Sequence, residues 1–355
     1  LLISMINLFV FSNSSDMTEL EKVTAYGHIY LYSLIVPIIS VSGIFLSYFN
    51  QQKRYKLLIS NGINPIKAAN IIFNTPEETK PNLLIIIGSI FFVIFTLVVG
   101  TSKMILSQEI VFIGSFMIIL FLLFKLSNEL DANAKKMLIG TAIIIFVFRA
   151  MPGVGQGGSW FEIDVLGFDQ EFLSLLGLIA SFLTILGIFV LRPLMEKSSM
   201  TRLIVVLSIA GSFFILPSIA MFYGFHEFTS KLTNGLVDAR FIAIFNTALE
   251  SPLGQVSMIP ILAWIAQSAP NHLKATFFAV LASFTNLALS ASNLGTKYLN
   301  QIYVITREVK NDLGIIKTPA DYSELGILLI VVCALTLTVP ILVTYIVKKL
   351  KLLSY

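Results

Sequence analysis

Apolar runs close to twenty residues long recur along the chain, at 81–100, 109–124, 172–191 and 326–347. Each is long enough for an α-helix to cross about 30 Å of hydrocarbon. With the runs that polar residues interrupt, the pattern predicts spans over 28–49, 81–102, 109–126, 137–160, 171–192, 202–224, 239–267, 274–297 and 325–347. Residues 1–11, LLISMINLFVF, are apolar but too short to cross a bilayer. They are expected to be the last part of a transmembrane helix that begins upstream. No basic leader or cleavage site stands before them, so a signal peptide is not expected.

Within these spans the polar positions are not scattered. In 273–295, LKATFFAVLASFTNLALSASNLG, Thr276, Ala279, Ser283, Asn286, Ser290 and Asn293 recur every three or four residues. That spacing places them on one face of a helix, with Phe277, Leu281 and Phe284 on another. Small and hydroxylated residues suit close helix contact in lipid. Two asparagines on the same face exceed what packing requires, and they predict the wall of a polar cavity.

Composition fixes the class. Of 355 residues, 56% are hydrophobic and 12% charged, and the mean hydropathy is +0.87. A soluble domain is about 25% charged, so the chain reads as an all-α polytopic membrane protein. The net charge of +4 is no sign of nucleic-acid binding, because the positive-inside rule accounts for where the basic residues lie. Fifteen Lys and Arg fall in segments 50–80, 125–136, 192–202, 268–274 and 348–355, against seven in the alternate connections. The first set, with the C-terminal tail, is expected to be cytoplasmic.

The six spans from Lys136 to Lys349 then begin and end on one side. This predicts a major facilitator-type bundle of two six-helix halves. Residues 131–355 would form the complete C-terminal half and 1–130 a partial N-terminal half, lacking two helices and part of a third. A monomer in a bacterial inner membrane is expected.

Two ionisable residues lie deep in the spans. Glu250, in ARFIAIFNTALESPLGQVSMIPILAWIAQ, is more than ten residues from either end of its span. A carboxylate there is costly unless protonated, paired or facing water, which marks a functional site. Pro252 should bend the helix beside it. Asn246, Glu250, Gly254 and Ser257 share a face if the bend keeps the helical phase. Arg149 precedes MPGVGQGG, which no regular helix accommodates cheaply. Irregular backbone at that depth is expected only beside a cavity or where protein satisfies it, and the guanidinium fork suits a carboxylate.

Other chemistry is not indicated. The single cysteine, Cys333, reads as a small packing residue, and no Cys/His cluster has metal-ligand spacing. There is no phosphate-binding Gly-Lys-Ser/Thr loop, and His28, His226 and His272 lie at span edges. Neither an enzyme nor a bound cofactor or metal is expected.

Two segments resemble the folate–biopterin transporters, a branch of the major facilitator superfamily. In LGFDQEFLSLLGLIASFLTILGIFV (166–190), Leu166, Gly167, Phe168, Phe172, Leu173 and Gly187 match that family's pattern. In 258–295 the matches are Met258 and Pro260 (one residue further apart than in the family), Pro270, Ala275, Thr276, Phe278, Ala279, Ser283, Asn286, Ser292, Leu294 and Gly295. Lys274 departs from the acidic residue usual before Ala-Thr.

The resemblance implies a proton-coupled secondary transporter, or symporter, of folate- or pterin-like solutes. Folates end in a glutamate, which Arg149 would suit. On this reading Arg149, Glu250, Asn246, Ser257, Ser283, Asn286, Ser290 and Asn293 bind or couple the solute, and protons and the lipid bilayer are the other partners. The alternative is a carrier of the same fold for a muropeptide, drug or other metabolite.

Overall fold

The computed structural model describes residues 1–12, 17–73, 83–102, 104–254, 256, 258–268, 274–310 and 316–352. It is almost entirely helical and forms two compact units, Leu1–Pro81 with Asp169–Leu178, and Asn82–Phe168 with Ile179–Tyr355. The 1–130 and 131–355 halves are a different division of the same chain.

The first unit contains α1 (Leu2–Val10), α2 (Glu19–Ser33), α3 (Ile35–Ser60) and α4 (Pro65–Phe73). A capping box starts α2: Thr18 accepts from the Glu21 backbone N–H, and the Glu21 carboxylate accepts from the Thr18 N–H at 2.7 Å. Both orphan donors of the first turn are thereby satisfied. Phe11, Ala25 and Ile29 form a small core between α1 and α2. Residues 20–60 form one long apolar stretch with its large side chains outward.

The second unit holds α5 (Leu83–Gly100), α6 (Ser107–Ser127), α7 (Ala132–Arg149), α8 (Gln156–Asp164) and the later part of α9 (Gln170–Val190). It continues through α10 (Arg192–Lys197), α11 (Met200–Phe222), α12 (Phe225–Leu232), α13 (Ala239–Glu250), α14 (Met258–Ser268), α15 (Lys274–Ile302) and α16 (Leu325–Lys349). A short hairpin of β1 (Val309–Lys310) and β2 (Ile316–Thr318) lies between the last two helices. Its core runs between helices far apart in sequence: Ile144 and Ile145 of α7, Ile204 of α11, Ile261 and Ile265 of α14, Phe277 and Leu281 of α15, and Val347 of α16.

Small polar residues let α11 and α16 approach closely. Ser208 and Ser212 are buried, and Ser212 Oγ donates to the carbonyls of Ser208 at 2.8 Å and Cys333 at 3.3 Å. The Cys333 thiol in turn donates to the Ser212 carbonyl. Each hydroxyl is satisfied within the helix pair, as hydrocarbon demands.

Six helical stretches among the described residues are long and apolar enough to cross a membrane. They coincide with six of the expected spans. A further apolar helix, α5, runs for 18 residues within the expected span 81–102. The spans at 137–160 and 239–267 are interrupted, the first after Arg149 and the second after Glu250. Large apolar side chains on the long helices remain outward, Phe189 71% and Tyr345 64% exposed. Such a surface is stable against lipid chains and not against water. The chain is an integral, multi-pass helical membrane protein.

Candidate functional site

The longest helix, α15, is unbroken for 29 residues, so the phase of its polar positions survives from end to end. Its face of Ser283, Asn286, Ser290 and Asn293 borders a cavity of about 1060 Å³ in the second unit. Opposite stand Phe92 and Thr96 of α5, then Gln108, Phe112 and Ser115 of α6, while Gly155 and Gln156 border one end. Thr276, Ala279 and Ser283 continue the same face into an adjoining space of about 400 Å³. Amides and hydroxyls thus face two phenylalanine rings across the larger cavity. The arrangement can hydrogen-bond the edge of a planar heterocycle and stack on its face.

A second polar row on α15 has a different task. Ser292 Oγ donates to the Met151 carbonyl at 2.6 Å, the Gly153 N–H donates to Thr296 Oγ1 at 2.8 Å, and Asn300 Nδ2 donates to the Val154 carbonyl at 3.1 Å. These side chains, one turn apart, satisfy the non-helical backbone of 151–155. Gly155 has φ +78°, and a Cβ there would lie 2.8 Å from Asn300 Nδ2. The tight approach requires glycine for both reasons. The irregular stretch after Arg149 is therefore held by protein, as its depth demands.

The second interruption follows Glu250. A short 3₁₀ turn, Ser251–Leu253, ends α13, and Pro252 meets Gly187 of α9 so closely that any side chain at 187 would strike the Pro252 backbone. Thr184 Oγ1 donates at 2.9 Å to the Ser251 carbonyl, which also accepts the Gly254 N–H. The helix is broken here, not bent, so the face projected through Asn246, Glu250 and Gly254 does not run on as one surface. Glu250 is at the end of α13 and exposed, Asn246 is half-buried one turn earlier, and Ser257 lies outside the described residues, as does Pro270.

Arg149 ends α7, and its Nη1 donates to Met258 Sδ at 3.2 Å at the start of α14. Neither Arg149 nor Glu250 borders the α15 cavity, and among the described residues no ion pair joins them.

The cavity does carry a charge that hydropathy reading passed over. Lys297 lines it, and Lys297 Nζ sits 2.7 Å from Glu109 Oε1 on α6. Tyr298 Oη donates to the same oxygen at 2.9 Å. Glu109 occupies the first turn of an apolar run, where an acid reads as a terminal solvated residue. What could have flagged it is a lysine near the end of α15 on the same side of the expected bilayer.

Outside the spans, Asp164 accepts from Arg307 Nε at 2.8 Å and Nη2 at 2.7 Å, and from Tyr322 Oη at 2.7 Å. The guanidinium fork holds the Asp164 carboxyl below its ordinary range. Burial, aided by that carboxylate, pushes the Tyr322 hydroxyl up to about 12. This triad fastens α8 to the connection that carries the β-hairpin.

With the geometry in place, comparison with known proteins decides the family. A family model described as the BT1 family matches residues 10–354. The chain belongs to the BT1 family. A curated protein described as a folate-biopterin transporter, from Synechocystis sp., is 21% identical to this BT1 family member over 154 residues, 43% of this chain and 30% of the relative. The match thus spans less than a third of that relative's length. No solved structure matches.

Proposed function

We propose that this BT1 family member is a secondary transporter of folate- or pterin-like solutes, with the α15 cavity as its binding site. The observation that carries the reading is the amide and hydroxyl row Ser283, Asn286, Ser290 and Asn293 facing Phe92 and Phe112 across about 1060 Å³. A pterin presents donors and acceptors along one edge of a flat ring, and asparagine offers both kinds of group in return. Membership of the BT1 family and the printed description of the Synechocystis relative favour the same class of solute.

The finer reading is proton-driven transport by two six-helix halves, 1–130 belonging to the first and 131–355 to the second, in a monomer of a bacterial inner membrane with its C-terminus cytoplasmic. Glu250 carries the coupling proton and Arg149, outside the α15 cavity wall, meets an anionic group of the solute along its path, with Asn246 and Ser257 as further contacts. Both lie beside helix interruptions, where backbone rearranges at least cost. The test is uptake of radiolabelled folate and of biopterin by cells expressing the protein. Folate accumulation should collapse with Glu250→Gln while exchange persists, and Arg149→Lys should weaken binding by losing the planar fork. Uptake of both solutes no faster than in cells lacking the protein would overturn the reading and favour a carrier for another small solute.

A further inference from the structure

Resting on the transport reading, we infer that Lys297 is the cation that recognises a carboxylate of the solute in the α15 cavity, and that Glu109 is its built-in competitor. Lys297 is the one ionisable residue among the described residues that line the cavity. Its side chain is 35% exposed, whereas that of Glu109 is 13% exposed, so the ammonium is open to the cavity and its partner is set back. An anion entering among neutral amides, hydroxyls and rings meets a single full charge there. Arg149, engaged by Met258, is not in that wall.

The Glu109 carboxylate is satisfied on one side only. Oε1 receives both Lys297 and Tyr298, and Oε2 is buried with no hydrogen-bond partner among the described residues. A half-buried carboxylate with one oxygen shut off from water favours the protonated form once it loses its cation, because an unpaired charge is costly in low dielectric. The exchange balances: a solute carboxylate takes the Lys297 ammonium from Glu109, and one proton from solution goes to Glu109 Oε2. One proton is taken up per carboxylate bound, and the site stays electrically neutral. The charged or titratable groups around Glu109 are Lys297 and Tyr298 of α15. Of the other helices packed on α6, α5 contributes none among its described residues, and α7 carries Lys135 and Lys136 beside Phe124 and Asn128 at the far end of α6 and Arg149, whose Nη1 meets Met258. This device is separate from Glu250, which stands outside the cavity.

The experiment is equilibrium binding of folate and of biopterin to the purified protein in nanodiscs, between about pH 5.5 and pH 8, where folate carboxylates stay ionised. Biopterin has the ring without the carboxylates. Wild-type protein should bind folate more tightly as the pH falls, and biopterin with no such dependence. Glu109→Gln should bind folate at the high pH as tightly as wild type does at the low, with a flat profile. Lys297→Gln should lose about tenfold or more in folate affinity and keep biopterin, since a charge-assisted bond is lost. Lys297→Arg should restore folate binding.

Unchanged folate affinity in Lys297→Gln, or a wild-type pH profile in Glu109→Gln, overturns the inference while leaving the transport reading intact. Wild type that binds neither compound overturns that reading and this inference with it. Should Lys297→Gln fail to fold, as judged by size-exclusion chromatography, the Glu109→Gln profile decides alone.

Discussion

The α15 wall and the α13–α14 break are two places where polar residues enter the spans at helical spacing, and they end differently. Along α15 the positions 283, 286, 290 and 293 open onto one cavity because no proline or glycine interrupts the helix between them. At α13–α14 the equivalent spacing of Asn246, Glu250 and Gly254 passes through Pro252, and the shared face dissolves. Periodicity is an argument about phase, and phase is carried only by continuous backbone hydrogen bonding.

The sharpest way to break this contrast is at Gly187. Gly187→Leu would drive a side chain into the Pro252 backbone, and rigid backbone cannot yield as a side chain can. We expect a loss on the order of 3 kcal/mol in stability, read as a large drop in melting temperature of the detergent-solubilised protein. Near-native melting would mean that the break is free to move away.

Asn286→Leu with Asn293→Leu tests the other member of the pair. Both side chains are exposed to the cavity, so melting should stay close to wild type. Folate uptake should fall about tenfold, the equivalent of roughly 1.4 kcal/mol in lost hydrogen bonding. The reverse outcome, lost stability with intact uptake, would make the stripe a packing surface.

Ser292→Ala separates the two rows of α15. It leaves the Met151 carbonyl without its donor, at a cost of about 1 kcal/mol, and should lower melting more than it lowers folate affinity. A change in affinity alone would place Ser292 in the cavity wall.

The smallest effect belongs to the Asp164 triad, partly exposed on both sides of the ion pair, where less than about 1 kcal/mol is expected from Asp164→Asn. Its pH dependence has a definite sign. The carboxyl is lowered in the folded protein, so its contribution is present above the ordinary Asp value of about 3.9 and is lost only as the pH falls through the lowered one. Hydrogen exchange at the Thr306 and Asp321 amides, which pair across the connection, reports it.

Much of this was legible in the sequence because the bilayer makes local rules strict. Run length predicts spans, and uninterrupted three-and-four spacing predicts the α15 face. The pieces that were not legible depend on partners chosen in three dimensions. Arg149 next to MPGVGQGG announces irregular backbone, but its hydrogen-bond partners, Ser292, Thr296 and Asn300, lie some 140 residues away. Glu109 and Lys297 are 188 residues apart, each at the end of an apolar helix where charge is ordinary. Only packing of α6 on α15 brings them together. Pro252 was visible, yet whether it bends or breaks its helix depended on Gly187 making room.

The Ser292, Thr296 and Asn300 row also gives α15 a mechanical role. Residues 292 and 293 are adjacent, so the Ser292 end of the latch on 151–155 stands about 100° from the cavity wall, while Thr296 and Asn300 hold the same segment from the cavity side of one rigid rod. A rod gripped in this way cannot turn without loosening the grip. Any rotation that reshapes the cavity must therefore first strip hydrogen bonds from the segment that follows Arg149, and reforming them would ratchet the rod back into register.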